Sequence, residues 1–345
     1  MNRIKFRLYP VLMASALFLA LAVGGIFFMV SGYNPFQVYW LILKGAFGSG
    51  KSFLTTLHYA TPLILSGLAF TVAKQANIMN LGGEGQIYVG AMTAAVVGTF
   101  FPQLPKVLYV PLVLLTAFAA SGLYGGIAGF LDVKFGSNIV IVTIMLNYIA
   151  INLLGIAVRT FLMDPAGSIP QSPKLDPSVT LYRFLKPTRL HAGFIIAVFM
   201  VFLVWFILEK TTVGYEIKVV GFNKRAAACN GISVVRNIII SAFLSGGLAG
   251  IAGAVEVMGV QRKLLEGISG ECGYTAVLIA LLASNHPLGV LFAAIGFAAL
   301  EVGANSMQRQ MGVPSAIVNI LVGLIVLLIL GRELFNRKRK GEKPC

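Results

Sequence analysis

Apolar residues in this chain come in long blocks separated by short polar intervals, and the blocks define its elements. Segments at 11–30, 53–73, 85–101, 107–131, 137–161, 191–208, 237–258, 271–284, 287–304 and 314–331 read as membrane-crossing helices, the eighth being short. The pattern predicts an all-α polytopic membrane protein, one membrane domain over 1–345 with about ten transmembrane helices. A chain of 345 residues would suggest two domains in a soluble protein, but a composition 57% hydrophobic and 11% charged overrules that.

Two polar interruptions stand out. The stretch 209–236 carries Lys210, Lys218, Lys224, Arg225 and Arg236 against Glu209 and Glu216. Inside it Asn223 can cap a two-turn helix over Lys224 to Cys229, and Asn230-Gly231 can end that helix in a left-handed turn. So short a helix is unstable alone, so it must be held by the chain around it or dock on a partner. The stretch 77–90 breaks an apolar run with glycines and a carboxylate, as a discontinuous membrane helix does. Its Glu84 is expensive in lipid and needs a polar cavity, a partner or a helix N-terminus to cap. On the fifth block Thr143, Asn147 and Tyr148 lie at helical spacing and can share a face with Asn152, a reasonable lining for a solute path. By contrast 162–190, with its five prolines, reads as an extended external loop.

The net charge of +15 does not signal a nucleic-acid partner, because Lys and Arg sit between and beyond the apolar blocks, where they orient the chain and meet headgroups. Both ends are basic, so an even number of spans leaves both termini, including the tail 332–345, in the cytoplasm. Cys229, Cys272 and Cys345 have neither metal spacing nor a disulfide framework. No catalytic set is present, and His58, His191 and His286 are far apart in sequence. The string Gly45 to Ser52 matches the phosphate-loop pattern letter for letter, yet it joins an amphipathic segment to a membrane span, which is the wrong setting for nucleotide.

A weak internal repeat runs through the chain. Ser66-Gly67-Leu68-Ala69 resembles Gly246-Gly247-Leu248-Ala249, Gly83-Glu84 resembles Gly270-Glu271, and the run from Gly136 resembles that from Gly312. The partners lie five spans apart, so the second copy is inverted: a first repeat over 53–161 and a second over 237–331, with the loop 209–236 between. The small-residue runs 121–129 and 245–253 read as helix-packing surfaces.

Asn80-Leu-Gly-Gly-Glu-Gly-Gln86, the GAFGS at 45–49, Ala60-Thr61-Pro62-Leu-Ile-Leu, and Gly221-Phe-Asn223 with Ala226, Ala227 and Gly231-Ile232 resemble permease subunits of bacterial ABC importers. The branch resembled is the sugar and branched-chain amino acid type, and within it the nucleoside-uptake permeases, over about residues 35–331. The resemblance implies a coupling helix in the loop, with Gly214, Gly221, Asn223, Ala226, Ala227 and Gly231 serving contact with an ATPase. It implies a solute path with candidates Asn80, Glu84, Gln86, Tyr88, Thr143, Asn147 and Asn305. It also implies an ABC ATPase that holds ATP and magnesium, a second related permease, and an extracytoplasmic substrate-binding lipoprotein. This subunit would then be no enzyme and hold no cofactor or metal, would sit in the bacterial inner membrane, and would move nucleosides, purine nucleosides first, or riboflavin or a simple sugar. The rival from another class is an ion-coupled secondary transporter, which would use the inverted repeats and Glu84, Glu256 and Glu301.

Overall fold

A computed structural model of the chain describes residues 22–101, 104–167, 169–185 and 188–312, with 320 and 323. Most of the first expected span, all but two residues of the last span at 314–331, the basic tail and Cys345 lie outside these residues. The described residues hold helices and two isolated β-bridges, with no strand among them. In chain order the helices are α1 (Ala22–Val30), α2 (Pro35–Phe47), α3 (Gly50–Gln75), α4 (Gly83–Phe100), α5 (Lys106–Phe135), α6 (Ile139–Arg159), α7 (Gly193–Lys210), α8 (Thr212–Phe222), α9 (Lys224–Cys229), α10 (Val234–Glu256), α11 (Cys272–Leu282) and α12 (Pro287–Met311).

Six of the described helices, α3, α5, α6, α7, α10 with its following turn, and α12, are long and apolar enough to cross a membrane. A seventh span arises if α1 and α2, bent by 115° across residues 31–34, count as one. Two expected spans come out differently. α4 has 18 residues but falls outside that group, being diluted by Gly83, Glu84, Gly85 and Gln86 in its first turn. α11 has 11 residues, about 17 Å of helix, and cannot cross a bilayer alone.

The chain divides into two compact units, residues 57–295 and residues 1–56 with 296–345. In the smaller unit α2 buries Val38 and Ile42 with Phe28, Ala304 and Met307, and Gly45 lets α2 approach Ser306 and Gly303 of α12. Gly45 to Ser52 is the end of α2, a two-residue bend and the first turn of α3, where Ser49 accepts from the Ser52 backbone N–H at 3.1 Å; no strand leads into it.

The larger unit is built around α10, packed on α4 and α5. Small residues set these distances: a side-chain carbon on Gly90 would stand 2.2 Å from the Gly250 carbonyl oxygen, and one on Gly253 would stand 2.0 Å from that of Ile87. With no hydrophobic effect between helices in lipid, this backbone-to-backbone approach supplies the dispersion that holds them. α10 ends in a π-turn over Val257–Gln261. The Arg183 guanidinium, from the long loop before α7, donates to the Gly259 carbonyl at 3.0 and 3.1 Å and to that of Val260 at 2.8 Å, so these end carbonyls are satisfied.

Candidate functional site

The break at 77–82 sets up the first cluster. Asn77 takes a left-handed φ of 58° and turns the chain back after α3. Asn80 then accepts from the Gly82 N–H at 2.9 Å and donates to Ser245 Oγ on α10 at 2.9 Å, while its amide lies 3.3 to 3.4 Å from that of Gln86. Asn147 of α6 reads the same turn: its Oδ1 accepts from the Gly85 N–H at 2.8 Å, and its Nδ2 donates to the Leu81 carbonyl at 2.8 Å. Ser121 of α5 donates to the Gln86 carbonyl at 3.0 Å. Asn80, Gln86 and Asn147 are buried, so each polar atom needs such a partner.

Glu84 occupies the first turn of α4, but its carboxylate serves another helix. It accepts from the Ser269 hydroxyl and, at 2.9 Å, from the Gly273 N–H in the first turn of α11. The N-termini of α4 and α11 therefore meet head to head, with one carboxylate against two positive dipole ends. Backbones touch there: a side-chain carbon on Gly273 would fall 2.3 Å from the Glu84 nitrogen. Of the two roles open to Glu84 from sequence, the geometry is that of a capping carboxylate, with partners in its own chain.

The other expected pathway residues divide. Tyr88 and Thr143 are buried, Thr143 donating to the Val140 carbonyl at 3.0 Å, and Asn152 is turned out to donate to the Tyr148 carbonyl at 2.7 Å. Asn305 belongs to the smaller unit, on α12, where it is partly buried. Ser121, Ser245, Ser269 and Gly273 were not singled out from sequence. Ser121 and Ser245 each open one of the two small-residue runs, which was the available signal.

The second candidate is the loop between α7 and α10. Thr211 caps α8 at the Gly214 N–H, and Gly214 lets α8 fold back against the Ile207 carbonyl and Leu208. Gly221 touches the Gln75 carbonyl at the end of α3, where any side chain would collide. α9 has the bounds expected of it: Asn223 Oδ1 accepts from the Arg225 and Ala226 N–H groups at 3.0 and 3.1 Å, and Gly231 closes it at φ 74°. Ala227 points inward, fully buried with Ala73, Ala76, Ile78, Ile217, Val220 and Ile238. Ala226 and the cap Asn223 face out beside Phe222, which is 90% exposed. The outward surface of this loop thus includes Phe222, Asn223, Lys224, Arg225 and Ala226, with Ala227 as the anchor beneath.

The family described as branched-chain amino acid transport system / permease component matches residues 52–330. Similar proteins include the guanosine ABC transporter permease protein NupP of Bacillus subtilis, 38% identical over 95% of this chain and 94% of its own. The nucleoside ABC transporter permease protein NupB of Lactococcus lactis is 33% identical over 99% of both chains. The glucose ABC transporter permease protein TsgB13 of Haloferax volcanii is 32% identical over 93% of this chain and 87% of its own. No solved structure matches the chain.

Proposed function

The chain belongs to the branched-chain amino acid transport system permease family, and on that premise we propose that it is the membrane subunit of an ATP-driven importer of nucleosides, purine nucleosides foremost. One observation carries the substrate: near full-length similarity to two permeases named for guanosine and for nucleosides. A simple sugar is the second reading, supported by the relative named for glucose.

In this reading the spans number ten in two inverted halves, both termini are cytoplasmic, and the protein is in the cell membrane. The head-to-head N-termini of α4 and α11 support the inverted halves, because Gly83-Glu84 and Gly270-Glu271 are matching positions and lie at that junction. The α8–α9 loop is the coupling element. It is rooted on the end of α3, and its exposed Phe222 and cationic turn suit a groove on an ABC ATPase, which binds ATP and magnesium and hydrolyses the nucleotide. A rigid capped element with two positions, biased by its partner, is what such coupling needs. A second related permease packs beside this one, and the exposed apolar stripe of Ile141, Met145 and Ile149 on α6 suits that contact. An external binding lipoprotein supplies affinity.

Vesicles holding the permeases, the ATPase and the loaded binding protein test the proposal. Uptake of guanosine that requires ATP is the expected result. Uptake driven by an ion gradient without the ATPase would overturn the importer reading, and uptake of glucose alone would overturn the nucleoside reading.

A further inference from the structure

A cavity of about 400 Å³ lies between α4, α6 and the turn that precedes α11, apart from the network around Asn80 and Asn147. That is within the range of small-molecule pockets, roughly 300–1,000 Å³. Ile151 and Ile156 give it apolar wall, and Tyr88, Asn152, Arg159 and Glu266 give it polar groups. Arg159 donates to Glu266 through both terminal nitrogens, the longer contact at 3.2 Å, and to the Gly155 carbonyl at 3.0 Å. Gly155 makes this possible, since a side-chain carbon there would stand 3.0 Å from both partners of the ion pair.

Three properties of this group point to a ligand. The pair's side chains are 56% and 45% exposed, so the bridge adds little to stability and its contacts can be exchanged for those of a guest. Its charges are equal and opposite, so the cavity favours a neutral guest over an ion. It also keeps unspent hydrogen-bonding capacity: the Glu266 carboxylate has free lone pairs, the guanidinium has further N–H groups, and Asn152 Oδ1 accepts from no donor among the described residues. A carboxylate is a good acceptor for paired hydroxyls, and a guanidinium donates to ring nitrogens and carbonyls.

We propose that this cavity is a transient subsite for the nucleoside in transit, with Glu266 accepting from the ribose hydroxyls and Arg159 and Asn152 contacting the base. The proposal rests on the nucleoside reading above. The same turn carries Ser269, which donates to Glu84, so a guest bound to Glu266 sits three residues from the α4–α11 junction.

The test is uptake by the whole importer in vesicles at saturating loaded binding protein, with guanosine and 2′,3′-dideoxyguanosine, which lacks the paired 2′ and 3′ hydroxyls, as probes. Co-purification with the ATPase reports that each variant folds and assembles. Glu266→Gln and Asn152→Ala are each expected to slow guanosine uptake about three- to tenfold, the loss of one ligand hydrogen bond. Glu266→Gln should slow dideoxyguanosine uptake less. The charge-swapped R159E/E266R rebuilds the bridge and is expected to stay slow; recovery would show that the pair only braces α6 and would overturn the proposal. Wild-type vesicles that take up guanosine while both single variants match them overturn the subsite alone. Wild-type vesicles that take up none overturn the nucleoside reading and the subsite with it.

Discussion

The Glu84 carboxylate accepts the Gly273 backbone N–H at 2.9 Å, across 189 residues of chain, and joins the first turns of α4 and α11. If its work is to cap, a neutral acceptor of the same shape should serve. Glu84→Gln can still accept from Gly273 and donate to Ser269, so the apparent melting temperature in detergent should stay near wild type and transport should persist. Glu84→Ala leaves the Gly273 N–H and the Ser269 O–H buried without their acceptor, although Ser269 Oγ still accepts the Glu271 N–H at 3.3 Å, a loss of about 1–3 kcal/mol per stranded donor. Transport abolished in Glu84→Gln at unchanged melting temperature would mean that the charge itself is used.

Ala226 and Ala227 are neighbours with opposite exposures, and they should fail in opposite ways. Ala226→Glu changes only the outward surface of α9, so the permease should insert and purify normally while ATPase binding falls. Ala227→Glu drives a charge among Ala73, Ile78, Ile217, Val220 and Ile238, and protein yield should collapse. Co-purification of the ATPase separates the cases, and normal ATPase binding by Ala226→Glu would take this face out of the coupling.

What sequence discloses here follows the range of the interaction. α9 and its caps could be read residue by residue, because Asn223 and Gly231 act on neighbours within one or two turns. The small-residue runs also disclosed packing, since close approach needs missing side chains. The facing of Ala227 could not be read, because a run of three alanines has no polar side to orient it. Nor could the pairing of Glu84 with Ser269 and Gly273, nor of His58 with His191, since these depend on contacts more than 130 residues apart in chain. The short α11 looked like a weak span because Gly270, Glu271 and Gly273 at its start resemble a polar span end, although the chain enters there to meet α4.

Asn147 spends both ends of its amide on the break before α4: Oδ1 on the Gly85 N–H, Nδ2 on the Leu81 carbonyl. Asn147→Asp keeps the acceptor and sets a carboxylate against a carbonyl, and Asn147→Leu leaves both backbone groups bare. Both variants should lower the apparent melting temperature, with a loss of about 1–3 kcal/mol for each stranded group. A wild-type melting temperature in Asn147→Leu would mean that the turn at 81–85 is held by Asn80 and Ser245 without it.

His191 is one source of pH dependence. It lies in the loop before α7, buried against Gly259 and Gly193, its ring 5.6 Å from that of His58, and its Nδ1 accepts the Gly193 N–H at 3.1 Å. Burial first, then His58 and Arg183, lowers its pKa from 6.5 to about 3. The folded ring stays neutral well below the pH at which the unfolded ring takes a proton. Between those values the unfolded chain binds more protons, so stability present above pH 6.5 is lost progressively as pH falls toward 3. His191→Asn retains an acceptor for Gly193 and cannot titrate. It should melt lower than wild type near neutral pH, because the smaller side chain leaves a cavity. Its melting temperature should nevertheless fall less than wild type's between about pH 7.5 and about pH 5. Equal acid sensitivity in the two proteins would assign the titration to another group.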